Sequence, residues 1–514
     1  MDILTKAISP IFSARQRKIE LFGKHLSEIQ YHQLRRLLKI TKNTEWGKKH
    51  GFGDISNYIT FREQVPVSRY EDLHPLIERM ISGEKDVLCP SDVRWFAKSS
   101  GTTNARSKFI PITKELLNNC HYKGGFDTVA LYLHNNPKTR FFSKKGLILG
   151  GSHSPSHLNS HTHCGDLSAV LLQNLNPIVN LVRVPRKEII LMDEWESKIK
   201  AIVESTWNKD VVSISGIPSW MLVLIKAVIK KAGKSTLSEV WPNLEVFFHG
   251  GAGFEPYRTQ YEKLIPSEKM HYMETYNASE GFFGIQSENT DQSMLLMLDY
   301  GIFYEFIPMT EFANSNNKNA IPLEDVKVGE NYAMVITTSG GLWRYVIGDT
   351  VRFTSLFPHK FIITGRTKFF INAFGEELMI DNAENGIRKA CEETNAVVKA
   401  YTAAPLFLLD LDKGKGRHQW LIEFERAPVS TEQFARSLDE ALQQLNSDYE
   451  AKRYKEISLQ LPEIIIAREN LFTDWMKKHN KLGGQHKIPG LSNNRDIINE
   501  LIVMNVFDKP KEQR

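Results

Sequence analysis

The first stretch of the chain, residues 1–90, carries apolar residues mainly at helical spacing. Within Gln30–Ile40 the leucines fall on one face of a helix, which predicts a mostly helical N-terminal segment. Short apolar runs at 93–97 and 108–112 then predict two strands on either side of a polar loop. Thr113 follows the second run in the position of a helix cap, so we expect the next helix to begin there.

Between about residues 145 and 300, apolar runs that end in glycine alternate with helical segments. A strand at 211–214 precedes a helix that begins at Pro218, and a strand at 244–248 precedes a helix over Glu255–Leu264. Such alternation is typical of α/β folds with layered sheets and helices, in which ligands gather at the loops beyond the carboxyl ends of strands. The pattern then becomes rich in strands.

The tail of the chain has a different pattern from about residue 369 onward. It predicts a helix after Asp381 and strands at 406–411 and 420–424. The segment Ser430–Asn446 is amphipathic and opens with the spacing of a capping box, which predicts another helix. Helices and strands in this order indicate a small α+β domain.

The length of 514 residues indicates more than one domain. A typical domain has about 150 residues, and a single core seldom grows beyond ~250–300 residues. The change in pattern places a large N-terminal domain at 1–367 and the small C-terminal domain at 368–514. The composition, 41% hydrophobic and 24% charged, excludes a disordered or coiled-coil chain.

The charges nearly balance, because 65 Lys+Arg against 60 Asp+Glu leave a formal net charge of +5. This value gives no reason to expect a nucleic acid or a membrane surface as a partner. The longest apolar stretch, 211–229, is interrupted by Gly216, Pro218 and Lys226, so we expect no membrane span. The N-terminus lacks the pattern of a signal peptide. The cysteines are scattered and form no paired motif: Cys89, Cys120, Cys164 and Cys391. We therefore expect free thiols and a cytoplasmic location.

Two further patterns resemble known motifs but do not complete them. Gly233-Lys234-Ser235 looks like the end of a phosphate-binding Walker loop, but the first glycine of that motif would fall at Val228, within a predicted helix. A group of residues with metal-binding side chains could hold zinc, and it fits a polar loop as well. Its members are His153, His157, His161, His163 and Cys164.

The loop between the first two strands is rich in hydroxyl groups. Its sequence is Ser99-Ser100-Gly101-Thr102-Thr103-Asn104, and Lys108 follows at the start of the second strand. Hydroxyls and backbone N–H groups in such a loop can cradle phosphate oxygens. Taken alone, the loop fits an ordinary polar hairpin as well.

Two later segments add a carboxylate and an aromatic residue to this picture. In Tyr276-Asn277-Ala278-Ser279-Glu280, the carboxylate could hold Mg²⁺ against a triphosphate and the tyrosine could stack on a base; a solvated surface turn is the alternative. In Trp343-Arg344-Tyr345-Val346-Ile347-Gly348-Asp349, the aspartate could accept both ribose hydroxyls; a salt-bridged strand end is the alternative.

In their order and spacing these segments resemble the motifs of the acyl-adenylate-forming superfamily of acyl-CoA synthetases, peptide-synthetase adenylation domains and luciferases. More closely, the chain resembles the Gretchen Hagen (auxin-responsive) acyl-acid amido synthetases over nearly its whole length, in a bacterial-type form. The matching positions are Ser99, Ser100, Gly101, Thr102 and Lys108, then Tyr276, Ser279 and Glu280, then Arg344, Gly348 and Asp349. The loop departs from the family pattern at Thr103 and Ala105, where the family has serine and glycine.

The resemblance implies a role for each of these residues. The phosphates of ATP would be held by Ser99, Ser100, Gly101, Thr102, Thr103 and Lys108. Adenine and ribose would be held by Gly251, Ala252, Thr275, Tyr276, Ser279, Asp349 and Arg366. Glu280 would bind Mg²⁺, Lys368 would be the hinge on which a mobile C-terminal domain rotates, and Lys487 would be a catalytic lysine that neutralises charge on the α-phosphate.

The resemblance also implies the reaction. A small carboxylic acid would be activated by ATP as an acyl-adenylate, and an amine, with an amino acid as the expected acceptor, would take the acyl group and release AMP. The alternatives are an acyl-CoA ligase with the same first step and a nucleotide-binding scaffold without turnover. Six residues are candidates for an apolar acyl pocket, although each also fits core packing: Phe126, Val129, Ile217, Pro218, Trp220 and Met221.

Overall fold

The structure is a computed structural model, and it describes most of the chain. The described residues are 3–90, 92–99, 108–150, 156–175, 182–192, 194–251, 254–312, 319–367, 370–371, 376, 378–407, 416–446, 449–450, 453, 459–479, 481, 488–492 and 494–507. Among them, the helices are too short or too polar to cross a bilayer.

The α-helices of the first part of the chain are α1 (Ile3–Ile19), α2 (Leu26–Thr41), α3 (Glu45–Lys49), α4 (Tyr58–Gln64), α5 (Tyr70–Ile81), α6 (Lys114–Leu116), α7 (Tyr122–Asn135), α8 (Leu167–Asn174), α9 (Lys187–Ile190), α10 (Trp195–Thr206), α11 (Pro218–Ala232), α12 (Leu237–Val240), α13 (Glu255–Leu264) and α14 (Met309–Phe312). The later ones are α15 (Ile380–Thr394), α16 (Thr431–Leu445), α17 (Leu471–Lys478) and α18 (Asp496–Phe507). A π-helical turn, Leu117–His121, joins α6 to α7, and short 3₁₀ turns lie at Phe141–Ser143 and Leu323–Asp325.

The strands up to the middle of the chain are β1 (Trp95–Ser99), β2 (Lys108–Ile112), β3 (Lys145–Ile148), β4 (Ser156–His157), β5 (His163–Gly165), β6 (Arg183–Val184), β7 (Val211–Gly216), β8 (Val246–Gly250), β9 (His271–Ala278), β10 (Gly281–Gln286) and β11 (Met294–Leu296). The remaining strands are β12 (Ile302–Pro308), β13 (Ile321–Pro322), β14 (Asn331–Thr338), β15 (Tyr345–Leu356), β16 (His359–Arg366), β17 (Phe370–Ile371), β18 (Leu378–Met379), β19 (Val397–Phe407), β20 (Gly416–Arg426) and β21 (Glu463–Ala467).

A large mixed sheet dominates the fold. It has 12 strands in the order β13-β12-β14-β15-β16-β11-β10-β9-β8-β7-β3-β6. Neighbouring strands in the part β9-β8-β7-β3-β6 of this order pair in parallel, and α10, α11 and α13 alternate with strands of this part along the chain. Buried side chains of these strands and helices share one apolar core, which includes Ile202, Val211, Ile225, Phe247 and Tyr261. This architecture confirms the predicted α/β class.

A smaller sheet of four strands, in the order β2-β1-β5-β4, carries the hydroxyl-rich segment between its first two strands. β1 and β2 are antiparallel, and Ser99 pairs with Lys108 at the last position of the ladder. The two ends of the loop therefore lie side by side, as the sequence predicted.

Contacts between Cα atoms divide the chain into two compact units. The first comprises residues 1–347, 351–362 and 483–485, and the second comprises 348–350, 363–482 and 486–514. In the second unit, alternate residues of β20 face opposite sides of the sheet β19-β20-β21. Trp420 and Ile422 pack with α15 and α16, whereas Leu421 packs with α17 and α18. This is the predicted α+β arrangement.

Several predicted elements are confirmed, and two differ at their ends. The helix over Glu255–Leu264 is α13 with the same bounds, and Ser430 caps α16 by accepting a hydrogen bond from the N–H of Gln433 at 3.2 Å. β1 begins two positions after the predicted run at 93–97. Residues 406–407 of the strand predicted at 406–411 are the end of β19, and residues 408–411 lie outside the described part of the chain. The start of β19 is set by pairing with β20 from Val397 onward and not by an apolar run.

Candidate active site

Ser279 and Glu280 lie at the tip of the hairpin formed by β9 and β10. Ala278 pairs with Gly281 across this tip, which stands at the carboxyl end of β9. Both tip residues are buried: Ser279 is 3% exposed and Glu280 is 6% exposed. A buried carboxylate requires compensating charge or hydrogen bonds, so the solvated surface turn that was the alternative for this segment is wrong.

Tyr70 packs against the start of β2, next to the predicted phosphate-binding lysine. The N–H of Phe109 donates to the Tyr70 hydroxyl at 2.8 Å, and the Lys108 ammonium lies 5.4 Å from the centre of the Tyr70 ring. Burial raises the pKa of Tyr70, and the negative charges of nearby carboxylates, Glu280 among them, add to this shift. Tyr70 therefore holds the start of β2 and lies beside the Lys108 ammonium.

Tyr345 is a second tyrosine in contact with Lys108. The Lys108 ammonium donates to the Tyr345 hydroxyl at 3.3 Å and lies 5.9 Å from the centre of that ring. Sequence reasoning missed both tyrosines. Tyr345 lies inside the third motif and could have been singled out there, whereas Tyr70 begins α5 and carries no local signal.

The glycine turn after β8 is tied to β9 at Thr275. The Thr275 hydroxyl donates to the carbonyl of His249 at 3.2 Å, and Gly250 pairs with Thr275 in the parallel ladder. A Cβ atom at Gly250 would lie 2.3 Å from the Thr275 carbonyl oxygen, so only glycine fits. Gly251 has a φ of +73°, which also favours glycine.

Tyr276 points into the apolar side of the large sheet. It is 6% exposed, and its ring centre lies 4.8 Å from that of Phe283 and 6.2 Å from that of Phe361. The predicted packing of Tyr276 on adenine stays a prediction.

Asp349 is 7% exposed and belongs to the second compact unit. Gly348, with a φ of +96°, precedes it, and the Gly348 carbonyl accepts a hydrogen bond from the N–H of Thr367 at 2.8 Å. The Thr364 hydroxyl donates to that of Thr350 at 3.0 Å. These bonds fix the backbone on both sides of Asp349 to the end of β16, directly before the predicted hinge.

Arg344, which begins the third motif, has structural partners. Its guanidinium is 2% exposed and binds both carboxylate oxygens of Glu305, at 2.8 to 3.1 Å. It also donates to the backbone carbonyls of Arg62 and Val65, at 2.9 and 2.7 Å. For Arg344 the alternative interpretation, a salt-bridged strand end, is therefore correct.

The acyl-pocket candidates separate into two places. Phe126 and Val129 pack against α1, and the ring of Phe126 stacks on Phe12 at 4.3 Å. Met221 is fully buried in the core of the large sheet, and Trp220 packs on the same core. Pro218 accepts a hydrogen bond at its carbonyl from the Tyr261 hydroxyl at 2.7 Å, and Ile217 caps α11. For Phe126 and Met221 these contacts favour core packing, and the acyl pocket stays a prediction.

Several predicted site residues lie outside the described part of the chain. They are Ser100, Gly101, Thr102, Thr103, Ala252, Lys368 and Lys487. The side chains of Ser99 and Arg366 also lie outside it. Their assigned roles stay predictions.

In the described part of the histidine cluster, the rings contact one another and a tryptophan. His157 and His163 pair across β4 and β5 with ring centres 4.4 Å apart, and His163 stacks on Trp95 at 4.8 Å. Within the described ranges, which omit His153, no three His, Cys, Asp or Glu side chains could share a metal ion.

Known proteins have sequences similar to that of this chain. Domains of the GH3 family match most of the chain: the N-terminal domain matches residues 15–270, the central domain 295–366 and the C-terminal domain 381–496. A 4-substituted benzoates-glutamate ligase, GH3.12 of Arabidopsis thaliana, is 22% identical over 94% of this chain and 96% of its own length. An indole-3-acetic acid-amido synthetase of the same plant, GH3.3, is 23% identical over 92% of this chain and 90% of its own.

Solved structures agree with this result. The GH3.15 acyl acid amido synthetase superposes with a TM-score of 0.78 at 18% identity and covers 96% of both chains. A 2-hydroxyisobutyryl-CoA ligase in its postadenylation state superposes with a TM-score of 0.55 at 11% identity, covering 96% of this chain and 92% of its own.

The fold, which carries a buried carboxylate at the tip of the β9–β10 hairpin, is that of the adenylate-forming ligases. Within that class, the chain belongs to the GH3 family, the Gretchen Hagen family that the motifs resemble. The predicted family, fold class and enzyme class are confirmed.

Proposed function

We propose that this chain is an ATP-dependent acyl-acid amido synthetase, which activates a small carboxylic acid as an acyl-adenylate and transfers the acyl group to an amine. Membership of the GH3 family supports this proposal. The observation that carries it is the burial of the Glu280 carboxylate, 6% exposed, at the tip of the β9–β10 hairpin, in the second of the family's motifs. A fixed carboxylate of this kind is a ligand that the magnesium ion of a nucleotide prefers.

In the first step, an oxygen of the substrate carboxylate attacks the α-phosphorus of ATP. The bond between this phosphorus and the bridging oxygen to the β-phosphate breaks, and pyrophosphate leaves with the electron pair. Lys108 and the loop from Ser99 to Thr103 hold the departing phosphates. Fixed donors at such a place stabilise the charge that develops in the transition state.

The residues present fit Mg²⁺ at the hairpin tip. Mg²⁺ prefers oxygen ligands, and the Glu280 carboxylate is only 6% exposed next to the Ser279 hydroxyl. Glu280 would hold the ion, which when bound would offset the negative charge of the phosphates.

The nucleoside is held in this proposal by residues of the glycine turn and of the second and third motifs. The turn at Gly251 and Ala252 approaches the base closely, with Thr275, Tyr276 and Ser279 beside it. Asp349, assisted by Arg366, accepts the ribose hydroxyls. The match of Arg344, Gly348 and Asp349 to the family's third motif supports this role for Asp349.

In the second step, the amine attacks the acyl carbonyl, AMP leaves, and the amine loses a proton. We infer that the C-terminal domain rotates about Lys368 between the steps, which lets one site exclude water from both reactions. Lys487 serves the first step. An amino acid is the favoured acceptor because relatives are named for glutamate and amino acid conjugation. An acyl-CoA ligase is the competing function, since that class shares the fold.

A screen of carboxylic acids tests the proposal, with pyrophosphate release from Mg·ATP as the readout. Acids that respond are then incubated with a panel of amino acids or with CoA, and products are identified by mass spectrometry. We expect amides with at least one amino acid. Thioester formation alone would support the CoA ligase, and the absence of acid-dependent pyrophosphate release would favour the nucleotide-binding scaffold.

The metal assignment has its own test. We expect Glu280→Gln to reduce the rate of pyrophosphate release by about 10²-fold or more. Removing one group that stabilises the charge of a transition state typically lowers the rate by this factor. Glu330→Gln, a change at a carboxylate that is 48% exposed, is the matched control and should retain the full rate. A Glu280→Gln enzyme with the normal rate and normal Mg²⁺ requirement would contradict the assignment.

A further inference from the structure

The π-helical turn Leu117–His121 buries a histidine against the second motif. π-turns are rare, and they often occur at functional sites because the extra residue redirects side chains. His121, the last residue of the turn, is 3% exposed. Its Nδ1 atom lies 2.9 Å from the side-chain oxygen of Asn277 in β9.

The proton of His121 can be assigned from this contact. Burial lowers the pKa of His121 to about 4, so the ring is neutral at neutral pH. The Asn277 oxygen is an acceptor, which places the single ring proton on Nδ1. Nε2 is buried, and no described atom forms a hydrogen bond with it. One directed bond, from His121 to Asn277, therefore accounts for the ring orientation.

The neighbouring residue makes a second bond to the same hairpin. The N–H of Phe282 donates to the Sγ atom of Cys120 at 3.1 Å. Asn277 and Phe282 pair directly across β9 and β10. Two consecutive residues of the π-turn thus hold two opposed residues of the hairpin, directly below the tip that carries Glu280.

Close packing leaves little freedom at this junction. A Cβ atom added to Gly124, in the first turn of α7, would lie 2.3 Å from the ring of Phe282. The helix that follows the phosphate loop and the hairpin of the second motif are therefore in direct contact, with polar bonds that fix their register.

We propose that His121 is a positioning residue that fixes Glu280 for Mg·ATP through its hydrogen bond to Asn277. This inference rests on the proposed function, because it assigns to His121 an effect on the metal site. The bond joins the helix that follows the phosphate loop to the hairpin that carries the carboxylate. Loss of it should weaken the contribution of Mg²⁺ to ATP binding and leave metal-free ATP binding nearly unchanged.

The test is equilibrium binding of ATP by calorimetry, with and without Mg²⁺, for the wild type and variants. Glu280→Gln defines complete loss of the gain in affinity that Mg²⁺ provides. His121→Phe keeps a flat ring without the donor. We expect it to reduce the gain in ATP affinity that Mg²⁺ provides about tenfold. His121→Asn, whose amide nitrogen takes the place of Nδ1, should recover affinity to within about threefold of the wild type.

A matched substitution separates positioning from stability. His359 is another buried histidine, 7% exposed, and His359→Phe should leave the gain in affinity intact. If His121→Phe does not fold, Asn277→Ala removes the same bond from its other end and should give the same tenfold loss.

The possible outcomes distinguish this inference from the proposed function. A wild-type chain that binds no ATP, or gains no affinity from Mg²⁺, contradicts the proposed function and this inference with it. A wild type that gains affinity from Mg²⁺, together with a folded His121→Phe or Asn277→Ala variant that gains as much, overturns the inference alone. Equal losses with and without Mg²⁺ also overturn it, because they indicate only a general structural role.

Discussion

Arg344 and Glu305 form a buried ion pair, in which both side chains also form hydrogen bonds with other residues. The Tyr58 hydroxyl donates to Glu305 at 2.9 Å, and the guanidinium reaches two carbonyls at the end of α4. Arg344 also has a φ of +42°, an uncommon conformation for a residue with a side chain. The surrounding bonds hold this conformation and join α4 to the large sheet.

Glu305→Ala should therefore destabilise the protein strongly. Removing one partner leaves the buried Arg344 charge uncompensated, which costs about 3–5 kcal/mol of unfolding free energy. Urea denaturation measures the change. Glu432→Ala is the control, because Glu432 and its partner Arg436 are 71% and 64% exposed, and loss of such a surface pair should change the free energy of unfolding little. A loss below about 1 kcal/mol for Glu305→Ala would show that the pair can be replaced by water.

Buried histidines should make the fold sensitive to acid. Burial lowers the pKa of His249 to about 3 and that of His359 to about 4, below the ordinary value of about 6.5. Between these values the unfolded chain binds more protons than the folded chain, so stability rises with pH and is lost as pH falls from about 6.5 toward 4.

Denaturation midpoints at several pH values between about 4.5 and 7 test this expectation. His359→Phe should reduce the slope of unfolding free energy against pH by up to ~1.4 kcal/mol per pH unit, the contribution of one proton. The surface carboxylates remain in both proteins and cancel in the comparison. Equal slopes for the variant and the wild type would mean that His359 titrates normally in the folded state.

At the residue level, sequence and structure agree where a motif concentrates chemistry in a short segment. Glu280 and Lys108 could be singled out because their neighbours in sequence match a family pattern. Tyr70 and His121 could not, since each acts on a motif residue that is far away in sequence. A side chain that reaches the site through tertiary contact leaves no local pattern to read.

Two adjacent glycines in α7 show how one element is fitted to another. Gly124 faces the hairpin, where a Cβ atom would overlap the Phe282 ring, whereas among the described residues a Cβ at Gly125 would meet no atom within 4 Å beyond its chain neighbours and its own helix backbone. Glycine is unfavourable inside a helix, so its presence at the first position reflects the close approach and its presence at the second does not.

The two alanine variants should change stability in opposite directions. Gly124→Ala should cost about 1–3 kcal/mol, because an added methyl group overpacks the contact with Phe282. Gly125→Ala should gain about 0.5–1 kcal/mol, because alanine restricts the unfolded chain and favours the helix. Thermal or chemical denaturation of both proteins provides the comparison. Similar effects of the two changes would contradict the close contact between α7 and the hairpin.

Whole elements were predicted well where periodicity and end signals coincide. α13 and α16 have both an apolar stripe and a clear start, and their predicted bounds hold within a residue. The π-turn before α7 could not be predicted, because the insertion of one residue is stabilised by its contacts with the hairpin and not by local preference. β19 likewise begins where its partner strand allows.

At the scale of the molecule, the α/β class and the small α+β domain follow from how strands and helices alternate. The order of the 12 strands does not, because β16 pairs with β11 across a long separation in sequence that no periodicity encodes. The contact-based units also differ in detail from a single cut at residue 367, since residues 348–350 group with the second unit. Asp349 thus belongs by contacts to the unit that follows it in sequence.

Lys487 belongs to the segment 486–514 of the second unit, and its proposed role can be tested on the two reaction steps separately. Lys487→Ala should slow pyrophosphate release by roughly 10²–10³-fold, because a cation that offsets charge on the α-phosphate acts only in the adenylation step. Transfer from a chemically prepared acyl-adenylate to an amino acid, followed as amide formation, should proceed at nearly the normal rate. Lys478→Ala, at a surface lysine that is 58% exposed, is the control and should affect neither step. If Lys487→Ala slows both steps equally, the lysine serves the fold or a shared binding step, and alternation between two domain positions loses its main support.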